Sequence, residues 1–298
     1  MTTSPSQEHS PVVGVVTVSY GSGRVLGDFL RSIPAATSHR IVTVVVDNKG
    51  QDRQVAQLSR DANATHLPLE HNVGYGQAMN LGVACMPAEV TWILLSNPDV
   101  ILERSSIDSL ITTGESDSAI GAVGPAILTD NDIYPSARAV PQLFSGIGHA
   151  LFGSFWRRNP WTLAYYGDFG KPIRRDAGWL SGACVLVRRT AFEQLEGFDP
   201  GYFMYFEDVD LGFRMGKAGY RNLYDPTAIV RHSGAHSTSS ESPKMIRAHH
   251  ESAMRFITRR YPRWWNWPVR AALALGLSAR STIMVRRSNS NHTTSPGS

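Results

Sequence analysis

A chain of 298 residues, 42% of them hydrophobic, is long enough for one large domain or two small ones and apolar enough to bury a core, which excludes global disorder. The formal charge is +4 and uneven: residues 255–287 carry several arginines and no acid, which predicts an anionic partner such as a membrane surface or a lipid diphosphate. No zinc-finger spacing or RNA-binding aromatic motif accompanies that charge, so nucleic acid is not expected; the polar N-terminus shows no secretory signal, and Cys85 and Cys184 read as buried free thiols of a reducing compartment.

Residues 1–10 read as a disordered lead-in. The run over 12–19 is almost continuously β-branched, the pattern of a strand buried on both faces of a parallel sheet. It ends in Tyr20-Gly21-Ser22-Gly23, and apolar spacing predicts a helix over 25–33. A second buried strand over 41–46 ends in Asp47-Asn48, followed by a helix over 55–61. A short strand over 66–69 leads into His71-Asn72-Val73-Gly74-Tyr75-Gly76 and a helix over 77–85. Another strand, over 92–96, ends in Asn97-Pro98-Asp99. This alternation is that of a doubly wound α/β sheet, in which ligands bind beyond the carboxyl ends of the strands. Tyr20, the pair Asp47 and Asn48, and the pair Asn97 and Asp99 thus converge as a nucleotide-type site. Gly74-Tyr75-Gly76 reads either as a phosphate cradle at a helix start or as a tight strand-to-helix turn. There is no dinucleotide fingerprint after the first strand and no Gly-Lys-Ser phosphate loop.

After a strand over 120–128 the alternation stops. Residues 134–166 are irregular and aromatic, with Arg138, Arg157 and Arg158 interleaved, and read as a flap over an acceptor site or a packing lid. Trp179-Leu180-Ser181-Gly182-Ala183-Cys184 precedes a short strand and helix. Glu207, Asp208 and Asp210 then follow an aromatic run and are expected just before a helix over 211–217. Burial beside such a run raises a carboxylate's pKa and makes it a better base, whereas Asp210 reads as a helix cap. A strand over 223–230 leads to His232. A polar linker over 237–242 and a helix over 243–261 follow, then Trp264, Trp265 and Trp267. The apolar stretch over 269–285 is broken by Arg270 and Arg280, which favours a helix lying in a membrane interface over one that spans it; docking on its own domain is the alternative.

These motifs, Asp47-Asn48, Asn72-Val73-Gly74-Tyr75-Gly76, Asn97-Pro98-Asp99, Trp179 to Cys184, Glu207-Asp208-Val209-Asp210 and His232, together resemble those of the family 2 inverting glycosyltransferases. The resemblance implies the GT-A fold, an α/β fold with a mostly parallel, Rossmann-like sheet, here with a C-terminal helical extension. It implies a transferase domain over 11–237, split into a nucleotide-sugar half (11–128) and an acceptor half (129–237). A basic membrane-associating extension over 243–287 and a disordered tail over 288–298 complete the expected layout. Carried over by residue, it implies donor contacts from Tyr20, Asp47, Asn48, Gly74, Asn97 and Asp99, and acceptor contacts from Trp179, Ser181 and Gly182. Asp208 would be the catalytic base with Glu207 beside it, and Asp99 and His232 would hold Mn²⁺ or Mg²⁺. Asn97 stands where the family's Asp-x-Asp motif has its first acid, which removes one charge from the metal side. Within the family the pattern is most like the branch that moves L-rhamnose from dTDP-rhamnose onto a polyprenyl-diphosphate-linked N-acetylglucosamine in arabinogalactan linker synthesis. Galactofuranosyl and other transferases using UDP-sugars share the motif set and stay open, as does a non-catalytic nucleotide-sugar binder. The implied setting is peripheral, on the cytoplasmic face of the plasma membrane, with room for a homo-oligomer.

Overall fold

The computed structural model describes residues 11–130, 132–141, 172–232, 243–268 and 270–271. The strands run β1 (Val12–Ser19), β2 (Arg40–Asp47), β3 (Thr65–Pro68), β4 (Val90–Ser96), β5 (Val100–Leu102), β6 (Ile120–Thr129), β7 (Asp132–Tyr134), β8 (Ala137–Arg138), β9 (Arg175–Ala177), β10 (Trp179–Leu180), β11 (Cys184–Arg188) and β12 (Arg221–His232). The helices are α1 (Gly23–Ala36), α2 (Arg53–Asp61), α3 (Tyr75–Ala84), α4 (Ser106–Glu115), α5 (Arg189–Gln194), α6 (Glu207–Lys217) and α7 (Pro243–Arg260). A short 3-10 turn, Trp264–Asn266, follows α7.

The central sheet has the order β3-β2-β1-β4-β11-β6-β12-β5. Strands β3, β2, β1 and β4 are parallel, as are β6 and β12, while β11 runs antiparallel between β4 and β6. The strand order reverses at β1 and β4, the place where an open α/β sheet leaves a crevice at its carboxyl edge. The short β8 and β10 form a separate antiparallel pair beside that edge.

The continuous β-branched character of β1 follows from its two-sided burial. Val13 and Val15 pack with Leu26, Phe29, Val55 and Leu110, which places α1, α2 and α4 on one face. Val16 and Val18 pack with Met79, Phe192, Leu211 and Met215, which places α3, α5 and α6 on the other. Alternate side chains of one strand thus feed two cores, and the strand's two polar residues, Thr17 and Ser19, are buried near its carboxyl end. A third, smaller cluster joins Trp179, Tyr202 and Val209 to Phe256 of α7, so the C-terminal helix is docked against β10 and the start of α6.

Two readings of the sequence need correction. Cys184 is buried, but Cys85 is exposed, because it caps the C-terminus of α3 instead of lying on its inner face. The helix expected over 211–217 begins at Glu207, so the three acids form its first turn. The expected flap over 134–166 lies largely outside the described residues, as does most of the stretch over 269–285.

Candidate active site

The carboxyl ends of β1, β2 and β4 bring Tyr20, Asp47, Asn48, Asn97 and Asp99 to one edge of the sheet. Tyr20 is 61% exposed, an aromatic face open to the crevice. Asn48 ties that edge to the next loop: its amide donates to Asn72 Oδ1 (2.9 Å) and to the Gly74 carbonyl (3.2 Å), and its Oδ1 accepts from Val73 N (3.0 Å). Asp47 is fully buried, and its carboxylate accepts from the backbone N–H groups of Lys49 (3.2 Å), Gly50 (3.1 Å) and Asp52 (2.8 Å). In this conformation Asp47 builds the turn that follows β2.

Gly74 sits at φ +88°, and a Cβ there would meet the Phe203 carbonyl oxygen at 2.2 Å, so glycine is needed for conformation and for clearance. The adjacent Tyr75 N–H donates to that same oxygen at 3.0 Å. The first helical N–H of α3 is therefore engaged by protein, which favours the tight-turn reading of Gly74-Tyr75-Gly76 over the phosphate cradle.

Asp99 follows β4 and is buried; His232 ends β12 and pairs in register with Val100, the residue after Asp99. Their side chains converge, His232 Nε2 lying 3.1 Å from Asp99 Oδ1. A carboxylate and an imidazole at this spacing are a donor set that suits a divalent ion sharing its remaining positions with phosphate oxygens and water. Among the described residues no group of three or more His, Cys, Asp or Glu converges in this way, so protein ligands alone would not complete a shell.

The acidic pair stands at the start of α6. Tyr205 (φ 68°) and Phe206 (φ 66°) are both left-handed, a conformation costing about 1–2 kcal/mol per non-glycine residue. They are held from α7: His249 packs edge-on against Tyr205 (5.4 Å) and Phe206 (5.5 Å), Phe256 lies 5.8 Å from Phe206, and Ser252 Oγ donates to the Met204 carbonyl at 2.8 Å. This bend turns Glu207 and Asp208 back toward the sheet edge. Asp208 Oδ2 accepts the Gly182 N–H (3.0 Å) and Oδ1 accepts the Val209 N–H (2.8 Å). Burial pushes the Asp208 pKa upward, against the pull of those two bonds and of the Arg138 guanidinium. Glu207 is buried more deeply, and burial, then the neighbouring Asp208 charge, pushes its carboxyl to about 8. Asp210 is not a cap: it is buried and paired with Arg214 at 2.6 Å, which in turn donates to the carbonyls of Leu195 and Gly197.

Of the expected acceptor residues, Ser181 and Gly182 lie beside Asp208, with the Ser181 N–H donating to the Ser136 carbonyl at 2.7 Å. Trp179 is buried. Its indole N–H donates to the Ala139 carbonyl (3.1 Å), and Arg138 covers its ring at 5.2 Å. In this conformation it braces α6 instead of presenting an open stacking face. Two residues escaped the sequence reading. Tyr75 was read as part of a turn, yet its hydroxyl donates to the Gly182 carbonyl at 2.6 Å. Arg138 was placed in the flap and stands close enough to bias the Asp208 charge.

A family model described as "Glycosyltransferase like family 2" matches residues 10–264. The chain belongs to glycosyltransferase family 2. This glycosyltransferase is 43% identical to the N-acetylglucosaminyl-diphospho-decaprenol L-rhamnosyltransferase of Mycobacterium tuberculosis, over 93% of its own length and 94% of the relative's. It is 28% identical to the rhamnosyltransferase WbbL of Escherichia coli, over 84% and 94% of the two chains. Solved structures that resemble it include the mannosyltransferase PcManGT from Pyrobaculum calidifontis with GDP-Man and Mn²⁺ (TM-score 0.56, 14% identity, 98% of this chain and 77% of that one). GalNAc-T7 with UDP, GalNAc and Mn²⁺ matches at TM-score 0.58 and 15% identity, over 81% of this chain and 48% of that one. At such identities the likeness concerns the fold, and it is the GT-A fold expected from the motifs.

The raised Glu207 pKa makes a testable demand on stability. Between the ordinary carboxyl range and about 8 the folded state holds a proton that the unfolded state has released, so stability falls as pH rises through that window. Glu207→Gln removes this penalty. In urea unfolding the variant should match wild type near about pH 4 and exceed it by a few kcal/mol near about pH 9. Equal stability at both pH values would place Glu207 in contact with solvent.

Proposed function

We propose that the chain is an inverting rhamnosyltransferase that moves L-rhamnose from dTDP-rhamnose to the N-acetylglucosamine of a polyprenyl-diphosphate-linked acceptor. The observation that carries this reading is the near end-to-end relationship to the mycobacterial enzyme, whose name specifies an L-rhamnosyl transfer and an N-acetylglucosaminyl-diphospho-decaprenol acceptor. The geometry of Asp208 supplies the chemistry. Inversion by single displacement needs one base for the attacking hydroxyl and stabilisation of charge on the departing diphosphate.

Asp208 is the base. Two backbone N–H groups fix its carboxylate, and partial burial keeps its affinity for a proton above that of an exposed acid. The acceptor hydroxyl gives its proton to Asp208 as its oxygen attacks the anomeric carbon, and the bond to the diphosphate breaks on the opposite face. Glu207 shares the site, and burial together with the neighbouring Asp208 charge pushes its carboxyl up to about 8, while Asp208 has two backbone N–H groups and the Arg138 guanidinium to favour its charged form. Tyr20 and Asn48 line the nucleotide side, with Asp47 shaping its floor, and Asn97, two residues before Asp99, is held by its N–H to the Ala183 carbonyl. Asp99 and His232 would hold Mn²⁺ or Mg²⁺, with imidazole favouring Mn²⁺, and the ion would supply positive charge to the donor diphosphate. Ser181 and Gly182 border the acceptor.

The acceptor's lipid requires the enzyme to meet a membrane. No helix among the described residues is long and apolar enough to cross one. Trp264, Trp265 and Trp267 are instead 75%, 53% and 59% exposed, and Arg263 stacks on Trp265 at 5.0 Å. Indoles clustered with arginines fit the headgroup region of an anionic bilayer, so the enzyme docks peripherally, on the cytoplasmic face, through this end of the chain.

Two experiments test the proposal. With dTDP-rhamnose and the lipid acceptor, Asp208→Asn should bind donor normally and lose turnover by about 10²- to 10⁴-fold, and chelation of divalent ions should abolish transfer by the wild type. Near-normal turnover of the variant would move the base elsewhere, and full activity in chelator would remove the metal. In vesicle sedimentation, serine at Trp264, Trp265 and Trp267 together should release the protein from anionic vesicles and leave donor affinity unchanged; unchanged sedimentation would place the anchor elsewhere.

A further inference from the structure

Asp208 is held by a glycine that is bound on both of its sides. Its Oδ2 accepts from the Gly182 N–H, and the Gly182 carbonyl accepts from the Tyr75 hydroxyl at 2.6 Å. These two groups lie on adjacent peptides joined through the Gly182 Cα, which carries no Cβ to restrict its dihedrals, so a tether on the carbonyl side narrows the range through which the residue, and with it the N–H, can turn. Tyr75 is well placed as that tether. Its backbone N–H is bound to the Phe203 carbonyl (3.0 Å), its ring packs edge-on against Phe198 (6.3 Å), and it directly follows Gly74, whose carbonyl Asn48 holds. Burial raises its phenol pKa well above the ordinary value, so the hydroxyl keeps its proton and acts as a donor throughout the working pH range.

We propose that Tyr75 is a positioning residue for the transfer reaction, fixing Gly182 so that its N–H orients the Asp208 carboxylate, and that it thereby links the Asn48–Gly74 nucleotide edge to the base. The assignment rests on Asp208 being the base as proposed above. The groups facing Asp208 are Glu207 from its own helix, Tyr75 from α3 and Arg138 from β8, with the buried Cys184 close to Tyr75. Of these, Tyr75 reaches Asp208 through Gly182 without adding a charge of its own.

Tyr75→Phe keeps the ring against Phe198 and deletes the hydroxyl. In the full-length enzyme kcat should fall about tenfold while KM for dTDP-rhamnose stays within about twofold, the signature of lost alignment without lost donor binding. The Asp208 side-chain carbon resonance, titrated by NMR in the free protein, should shift to a higher midpoint, because a loosened Gly182 N–H no longer favours the charged form. This titration needs no donor, so it is read even if dTDP-rhamnose proves not to be the substrate. An unmoved titration with unchanged kcat would overturn the proposal. So would a lower thermal midpoint with an unmoved titration, which would make Tyr75 a packing residue.

Discussion

The turn Ser181-Gly182-Ala183 is the constraint on which the site depends. Its Gly182 N–H holds Asp208, its Gly182 carbonyl receives Tyr75, and its Ala183 carbonyl receives the Asn97 N–H at 2.9 Å. Three parts of the chain remote in sequence, namely the helix that carries the acids, the start of α3 and the loop after β4, are thereby registered against one short peptide. The turn is itself pinned, since β11 leaves it paired antiparallel to β4 and the Ser181 N–H is bound to Ser136. A glycosyltransferase needs its base and its diphosphate site at a fixed separation, and a backbone hub fixes it more tightly than long side chains would.

The C-terminal helix closes the arrangement from the other side. The left-handed bend at Tyr205 and Phe206 persists because α7 packs His249, Ser252 and Phe256 against it, while Arg255 and Arg259 both bind Asp199 upstream of the bend. After Tyr261-Pro262-Arg263 the same helix is followed by the exposed tryptophans. The helix that shapes the acidic corner is thus joined by three residues to the turn proposed to meet the membrane.

Much of this was legible in the sequence, and what was not has physical reasons. Strands β1, β2 and β4 were readable because burial on both faces demands unbroken apolar runs, and their polar ends marked the crevice. The meeting of Asp99 and His232 was readable as two strand ends of one sheet. Strands β5, β8 and β10 were not, since two or three residues carry no periodicity. The start of α6 was misplaced because an aromatic run reads as extended chain, and nothing local announces that Tyr205 and Phe206 adopt positive φ. Asp47 and Trp179 both bond backbone in this conformation; the Asp47 bonds belong to the local turn after β2, whereas the Trp179 bond to Ala139, 40 positions away, is set by tertiary packing. Tyr75 was hidden for the same reason: its partner lies 107 positions away.

The central claim is a single displacement at the anomeric carbon with one carboxylate as base. Its most direct measurement is the anomeric configuration of the product, read by NMR from the one-bond carbon–proton coupling at the anomeric centre after transfer from dTDP-rhamnose to a short acceptor. The geometry predicts a product of configuration opposite to the donor, formed without a covalent glycosyl-enzyme. A product that keeps the donor's configuration would contradict it, and would require a nucleophile where Asp208 has been given the role of base.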